Sequence, residues 1–244
     1  MAANPPGACC TIGVKHEGEA SGEIKRIGNV ESYFAYPPDR STAKAIVLLT
    51  DVIGHKLINA QLLADQLAAN GYFTVVPDLF HENPAPLNPP EGFNIYKWLE
   101  GFPPEKIDPI VQSTISNLRK TYGAKTVGAA GYCFGGKYVI RALKDRQIDA
   151  GYAAHPSMVD AAEFGAIAGP LSLSAAETDQ IWPTDKRHES EVILAKTGQP
   201  YQINLFSGVE HGFAVRGDLS KEQLKFAKEQ AFLQAVAWFD KYLK

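Results

Sequence analysis

The most specific chemical signal in this 244-residue chain is a cysteine with a glycine two residues before it and another two residues after it. The run Gly131-Tyr132-Cys133-Phe134-Gly135 follows an apolar stretch, 126–130, and precedes a helical pattern, 136–144. A strand, a tight Gly-x-nucleophile-x-Gly turn and a helix together define a nucleophile elbow, in which a Cβ on either glycine would clash. The pattern therefore predicts that Cys133 is a nucleophile, in the place where serine is usual.

A cysteine nucleophile needs a base, and chain order indicates His211. In elbow folds the nucleophile is followed first by the acid and then by the base. His155 follows Cys133 with no strand-end acid between them, and His188 lies in a polar helical stretch typical of a solvated surface. The remaining histidines precede the elbow: His16, His55 and His81. His211 lies in a glycine-flanked loop after the last predicted strand, which suits a base that faces the nucleophile.

The acid is expected after the predicted strand 170–175, where three carboxylates occur. Glu177 is very close to the end of that strand, and Asp185 is predicted to be the N-cap of the next helix. Asp179 is therefore the preferred acid, with Glu177 as the alternative.

Two backbone N–H groups are expected to form an oxyanion hole. One belongs to the residue after the nucleophile, Phe134, and the other comes from the loop after an early strand. That loop is 50–55, and its predicted donor is Val52. Such donors stabilise the negative charge that develops on a carbonyl oxygen during acyl transfer.

The elements that must position these residues alternate along the chain. Short apolar runs predict strands at 31–36, 45–50, 73–77, 126–130, 150–154, 170–175 and 201–206. Helical periodicity predicts helices at 57–70, 108–121, 136–144, 185–197 and 220–243, the last with a capping box from Ser220 to Gln223. This alternation favours an α/β fold, with a mainly parallel sheet and helices on both faces.

A proline-rich stretch, 81–90, interrupts this alternation and is too rich in proline for a regular element. It follows a strand that ends at Pro77, so it is expected at the carboxyl edge of the sheet, where open α/β folds bind their ligands. A wall or lid of the pocket and a plain surface loop are both open interpretations.

Composition favours one globular domain, 1–244, because no internal repeat or long linker divides the chain. The net charge of −3 gives no general attraction to nucleic acid or anionic lipid, and no apolar run approaches the ~20 residues that span a bilayer. The first residues lack the pattern of a signal peptide, so a cytoplasmic location is expected. With three cysteines in all, Cys9 and Cys10 are interpreted as free thiols without a metal.

Four segments together resemble the dienelactone hydrolase (carboxymethylenebutenolidase) family: 48–54, 76–80, 131–136 and 210–213. The start of the chain, 9–37, is similar to fungal members. The resemblance implies an α/β-hydrolase fold and a Cys133–His211–Asp179 triad, with no metal or cofactor. It also implies that a carboxylate at the position of Asp51 pairs with the nucleophile in the resting enzyme and helps to form the thiolate when substrate arrives.

The chain departs from bacterial members at the positions expected to hold substrate. Asp51 stands where they have glutamate, and no arginine accompanies His81 where they have one to bind the substrate carboxylate. The arginine after the catalytic histidine, Arg216, is displaced by one position. An anionic dienelactone is therefore less favoured as the substrate, and Arg216 is expected either to contact a substrate anion or to form a surface salt bridge.

The sequence thus predicts a cofactor-free hydrolase of a lactone or small ester, which works through a thioester intermediate on Cys133. Four side chains are candidates for the substrate pocket: His81, Trp182, Phe213 and Arg216. For Trp182, a place in the core is the alternative. Two other functions stay open: a lyase, isomerase or cyclisation step that uses His211 as base, and non-catalytic binding of a small molecule.

Overall fold

A computed structural model describes every residue from Met1 to Lys244 and contains one eight-stranded sheet. The strand order is β1-β2-β4-β3-β5-β6-β7-β8; β2 is antiparallel to both neighbours, and all other pairs are parallel. The strands are Glu23–Ile27 (β1), Val30–Ala35 (β2), Lys44–Leu49 (β3), Phe73–Pro77 (β4), Thr126–Tyr132 (β5), Ala150–Ala154 (β6), Leu171–Thr178 (β7) and Tyr201–Glu210 (β8). The predicted mainly parallel α/β architecture is confirmed.

Eight α-helices connect and cover these strands on both faces of the sheet. They are Ile58–Ala69 (α1), Ile95–Leu99 (α2), Pro104–Lys120 (α3), Phe134–Lys144 (α4), Ala161–Gly165 (α5), Thr184–Ala195 (α6), Phe213–Arg216 (α7) and Glu222–Tyr242 (α8). A short 3₁₀ helix, Ala8–Thr11, precedes them. None of the helices combines the length and hydropathy that crossing a bilayer would need.

The centre of the sheet forms the core. Every residue of β4 and β6 is buried, and β3 and β5 are buried except at their first residues. Helices on both faces explain why these strands are continuous apolar runs without polar alternation. The carboxyl ends of β3, β5, β7 and β8 lie at one edge of the sheet, and the predicted site residues follow directly after them.

Several local predictions were wrong. Strand β1 was not predicted because its sequence, EIKRI, is polar; it is an exposed edge strand paired only with β2. The predicted capping box is absent, since α8 has Lys221 as its N-cap and the Ser220 hydroxyl bonds to Asp218 instead. Asp185 lies in the first turn of α6, where Pro183 is the N-cap.

The first residues of the chain run across the carboxyl edge of the sheet and are held there by backbone hydrogen bonds. We refer to residues 2–16 as the N-terminal segment. Ala3 N–H donates to Val159 O (2.9 Å), Asn4 N–H to Ile181 O (2.7 Å), and Val14 N–H to Arg216 O (3.0 Å). The segment therefore bridges loops that follow three different strands.

The proline-rich stretch 81–90 packs between this segment and the loop after β3. Ala85 N–H donates to Val52 O (2.9 Å), and Asn88 N–H donates to Thr11 O (2.7 Å). The Asn88 side chain also exchanges two hydrogen bonds with the backbone of Gly13. Ala85 is buried at 1% exposure, so part of this stretch is packed against the protein and supports both neighbours.

Candidate active site

Cys133 lies on a sharp turn between β5 and α4, with a φ of 50° and a ψ of −109°. Non-glycine residues rarely adopt this region, and strain of this kind concentrates at functional sites. A Cβ on Gly131 would lie 2.6 Å from the Gly135 carbonyl oxygen, and one on Gly135 would overlap the Leu49 carbonyl group. Both glycines are required by close backbone approach, which is the geometry that the sequence pattern predicts.

His211 directly follows β8, and its ring is held by a carboxylate that follows β7. Nδ1 of His211 lies 3.0 Å and 2.9 Å from the two carboxylate oxygens of Asp179. Oδ1 of Asp179 also accepts the backbone N–H groups of Ile181 (2.7 Å) and Trp182 (2.9 Å). The alternative acid, Glu177, is exposed and accepts the Gly208 N–H instead. The structure therefore brings Asp179, and not Glu177, to the histidine.

The other ring nitrogen of His211 faces a cluster of sulfur atoms. The ligand atoms of Cys133, His211 and Cys10 all lie within 4.8 Å of one another, and all three residues are buried. Nε2 of His211 is buried without a hydrogen-bond partner in the protein. With Nδ1 bound to Asp179, Nε2 is the nitrogen free to exchange a proton with Cys133.

Charges around Cys133 favour its thiolate. Burial raises the pKa of the thiol, but a hydrogen bond with Cys10 and the positive charges of His211 and Arg216 outweigh burial and hold the pKa well below its usual value. Since the thiolate is the reactive form of cysteine, this shift activates the residue at neutral pH.

His211 is shifted in the opposite direction. Burial lowers the pKa of the imidazole, but the negative charges of Cys133 and Asp179 outweigh burial and raise the pKa to about 10. Burial raises the pKa of Asp179, and the neighbouring imidazolium with two backbone N–H donors reverses that shift and keeps the carboxyl ionised. The two opposite shifts favour a thiolate–imidazolium pair of Cys133 and His211.

Arg216 and Asp51 form a second buried ion pair near Cys133. Nη1 of Arg216 bonds to Oδ2 of Asp51, while Oδ1 of Asp51 accepts the Ile53 N–H at 3.0 Å. Both side chains are 1% exposed, so the interpretation of Arg216 as a surface salt bridge was wrong. Burial raises the pKa of the Asp51 carboxyl, and the guanidinium opposes that shift.

This pairing also changes the expected role of Asp51. No hydrogen bond joins Asp51 to Cys133, because the carboxylate is already engaged by Arg216. The guanidinium reaches this position over Gly212, which has a φ of 92°; a Cβ there would lie only 2.5 Å from Nη2. The Arg216 side chain therefore points toward the loop after β3.

Two backbone N–H groups near the elbow are unpaired within the protein, those of Val52 and Phe134. The carbonyl groups beside them are engaged: Gly135 N–H donates to Thr50 O (3.0 Å), and Ala85 N–H donates to Val52 O (2.9 Å). The first bond joins the loop after β3 to the elbow, and the second joins the same loop to the proline-rich stretch 81–90. Both predicted oxyanion donors are thus free to bind a ligand atom.

The remaining candidates for the pocket lie in three different environments. His81 is exposed and lines a surface depression with Arg26, Glu31 and Asp78, so the structure does not bring it to Cys133. Trp182 is 1% exposed and bonds through Nε1 to Ser190, which places it in the core behind Asp179.

Phe213 is buried near His211. Its ring packs edge-on against His155 (5.6 Å between centroids), and the His155 ring packs in the same manner against His211 (4.9 Å). Phe213 and His155 thus pack in sequence, edge to face, against the ring of the proposed base, His211. Phe213 is therefore a supporting residue of the site.

Two residues of the site were missed by the sequence-based predictions, Cys10 and His155. Cys10 has its Sγ 3.5 Å from that of Cys133, although 123 positions separate them. Its only sequence signal was the adjacent thiol pair. Both ring nitrogens of His155 are buried without partners, and burial with the nearby charges of His211 and Arg216 holds its pKa well below the usual value.

A cavity of about 290 Å³ reaches the site from the surface at His211. Its other walls are Cys9 and Ile12 from the N-terminal segment, with Thr178, Gln180 and Glu210 from the sheet edge. Cys133 is fully buried behind these walls. The N-terminal segment therefore forms part of the wall of the cavity that reaches His211.

Comparisons with known proteins identify the family of the chain. The model of the dienelactone hydrolase family matches residues 30–243. The chain belongs to the dienelactone hydrolase family. Hydrolase pyvD of Aspergillus violaceofuscus is 50% identical over the whole of both chains, and hydrolase tropI of Talaromyces stipitatus is 48% identical over all of this chain and 99% of its own.

Among solved structures, a putative dienelactone hydrolase from Klebsiella pneumoniae superposes with a TM-score of 0.78. It is 16% identical and covers 91% of this chain and 98% of its own, so it shows the shared fold. Together with the named hydrolases, the family membership shows that this protein is an ester or lactone hydrolase.

Proposed function

We propose that this chain acts as a single α/β-hydrolase domain, 1–244, which cleaves a lactone or small ester through Cys133, His211 and Asp179. The observation that carries the proposal is the Asp179–His211 hydrogen bond of 2.9 Å with the unpaired Nε2 of His211 near the elbow sulfur. An elbow nucleophile, a base and an orienting acid are the three parts that acyl transfer requires. Membership of a hydrolase family supports the same reaction.

The proposed reaction has two steps. The Cys133 thiolate attacks the substrate carbonyl, and the imidazolium of His211 donates its Nε2 proton to the leaving alkoxide, which forms a thioester. His211, now neutral, removes a proton from water, and the resulting hydroxide cleaves the thioester and releases the acid. Asp179 keeps Nδ1 protonated and stabilises the positive ring. The N–H groups of Val52 and Phe134 bind the carbonyl oxygen as it gains charge.

The charge balance of the site favours an uncharged substrate. The positive charge of Arg216 is compensated by Asp51, and that of His211 by Asp179 and Cys133. No arginine accompanies His81, which is itself outside the site. A substrate carboxylate would therefore find no uncompensated cation, and we propose a neutral lactone or small ester.

Replacement of the nucleophile tests this proposal. We expect Cys133→Ala to abolish turnover of a small activated ester. We expect Cys133→Ser to retain the fold with strongly reduced turnover, since the serine hydroxyl is not ionised at neutral pH. Mass spectrometry of the parent protein with a slowly hydrolysed ester is expected to show one acyl group on the Cys133 peptide. Full turnover by Cys133→Ala, with thermal unfolding unchanged, would refute the covalent mechanism.

The enclosure of Cys133 favours a second candidate, a non-hydrolytic ring closure or isomerisation that uses the same triad. The sulfur is fully buried beneath the N-terminal segment, which limits the approach of water to an intermediate. Turnover in isotopically labelled water separates the two candidates. Hydrolysis places one labelled oxygen in the carboxylic acid product, whereas cyclisation or isomerisation places none.

The state of the cysteines bears on location. All three cysteines are free, and Cys10 and Cys133 lie in contact without a disulfide bond. Unbridged thiols at this spacing suit a reducing compartment. We therefore propose a cytoplasmic location, which fractionation of the native protein tests.

A further inference from the structure

The N-terminal segment places the thiol of Cys10 in contact with the proposed nucleophile, Cys133. Sγ of Cys10 lies 3.5 Å from Sγ of Cys133, and both residues are 0% exposed. Cys10 lies on the 3₁₀ helix Ala8–Thr11, outside the residues 30–243 that the family model matches. The contact is therefore a feature of this chain that family membership alone does not supply.

The surrounding charges decide which of the two sulfur atoms keeps its proton. Cys133 is next to the imidazolium of His211 and the guanidinium of Arg216, which stabilise a thiolate. Cys10 has its pKa raised, first by its hydrogen bonds with Cys133 and Cys9 and then by burial. Cys10 is thus the protonated partner, and its S–H donates to the Cys133 sulfur.

We propose that Cys10 is a positioning residue of the reactive centre, whose S–H hydrogen bond holds Cys133 as a thiolate in the resting protein. This role of Cys10 differs from what the family resemblance implies, which is that the carboxylate of Asp51 pairs with Cys133. Here Asp51 is bound to Arg216 instead. The polar neighbours of the Cys133 sulfur are instead the Cys10 thiol at 3.5 Å and the Ser157 hydroxyl at 3.8 Å, and a hydrogen bond to an ionised acceptor is among the strong ones. This proposal rests on the proposed function, in which Cys133 is the nucleophile.

The same contact makes the nucleophile depend on the docked N-terminal segment. Asn59 on α1 clamps this segment: its Oδ1 accepts the His16 N–H (2.8 Å), and its Nδ2 donates to Val14 O (2.8 Å) and Val215 O (2.9 Å). Asn59 is fully buried and does not contact Cys133. Loosening this clamp is therefore expected to weaken the thiol pair from a distance.

The experiment measures the pKa of Cys133 directly, without substrate. In a Cys9→Ser background, thiolate absorbance in the ultraviolet is followed against pH, and the same titration of Cys133→Ala is subtracted. We expect Cys10→Ala to raise the pKa of Cys133 by about one unit, since a hydrogen bond to an ion is lost. Cys10→Ser has nearly the same size and restores a donor, so it is expected to return the pKa most of the way. Asn59→Ala is expected to shift the pKa in the same direction as Cys10→Ala.

Several results would overturn the proposal. One is an unchanged pKa in a folded Cys10→Ala protein, and another is an equal rise in the alanine and serine variants, which would indicate lost packing. If Asn59→Ala undocks the segment, as judged by faster proteolysis before residue 16, and leaves the pKa unchanged, the dependence on docking is refuted. The titration needs no turnover. A failed ester assay would therefore refute the proposed function, while the titration would still test the hydrogen bond between Cys10 and Cys133.

Discussion

Two buried carboxylate–cation pairs flank Cys133, and they are built from different chemistry. Asp179 and His211 follow the adjacent strands β7 and β8 and form a pair with a mobile proton. Asp51 follows β3 and Arg216 ends α7, and they form a pair whose cation keeps its proton at any pH of interest. Both pairs are at most 2% exposed in their side chains.

The difference separates proton transfer from fixed charge. Both cations lower the pKa of Cys133, but only the imidazole can give up a proton and take it back. Arg216 contributes a constant field, and Asp51 prevents its charge from being isolated in the core. The proposed reaction therefore needs the first pair for its chemistry and the second for the electrostatic state in which that chemistry starts.

The largest expected effect comes from Asp179→Asn. The amide cannot stabilise the imidazolium, so we expect kcat/KM for a small ester to fall roughly 10²–10⁴-fold. The alkaline limb of the pH profile, expected at about pH 10 where His211 loses its proton, should move to lower pH because Asp179 is one of the two charges that raise this pKa. The control is Glu177→Gln, which lies outside the pair and should leave the position of the limb unchanged. A limb that stays in place in Asp179→Asn would break the distinction between the two pairs.

A smaller effect on rate, with a large effect on stability, is expected for Arg216→Gln. Removal of the guanidinium leaves the buried Asp51 carboxylate without a cation, which should cost about 3–5 kcal/mol in the free energy of unfolding measured with urea. The pKa of Cys133 should rise, because one of its stabilising charges is gone.

The double variant Asp51→Asn with Arg216→Gln sharpens the interpretation. We expect the double variant to regain most of the stability that Arg216→Gln loses, because stability depends on the ion pair. We expect the pKa of Cys133 to stay raised, because that pKa depends on the Arg216 cation. Recovery of both quantities would mean that Arg216 acts only through Asp51.

The smallest expected effect on activity belongs to His155→Phe. His155 packs against the proposed base but is neutral and makes no side-chain hydrogen bond, so kcat/KM should change by less than about threefold. The free energy of unfolding should fall by about 1–2 kcal/mol, because phenylalanine is poorly suited to the φ of 38° at this position. A loss of activity comparable with that of Asp179→Asn would show that the two adjacent rings share one proton, and the two-pair description would then be incomplete.

Most of the fold and the skeleton of the site could be predicted because their signals are local. The elbow is read from five consecutive residues, since the turn itself demands glycine at two of them. The strands β4 and β6 match their predicted bounds, because buried strands are short apolar runs between turns. Strand β1 escaped prediction because an exposed edge strand needs no apolar pattern.

The partners of charged and sulfur-containing side chains could not be predicted in the same way. Nothing near Arg216 in the sequence indicates that its guanidinium crosses Gly212 to reach Asp51, 165 positions earlier. Nor does the Cys9-Cys10 pair indicate that one thiol is half-buried at a cavity wall while its neighbour meets Cys133. These contacts depend on how loops after different strands meet at one edge.

By itself, the sequence determined the α/β-hydrolase architecture, the family, and a cysteine on an elbow with a histidine and an acid later in the chain. The α/β alternation and the elbow follow from periodicity and steric demands that act over a few residues, whereas the family and its hydrolase fold followed from the resemblance of four segments. Only the tertiary structure decided which acid holds His211, which carboxylate holds Arg216, and which thiol contacts Cys133. The physical reason is that a hydrogen bond or ion pair depends on distances of a few ångströms, and parallel strands bring together residues that are more than a hundred positions apart.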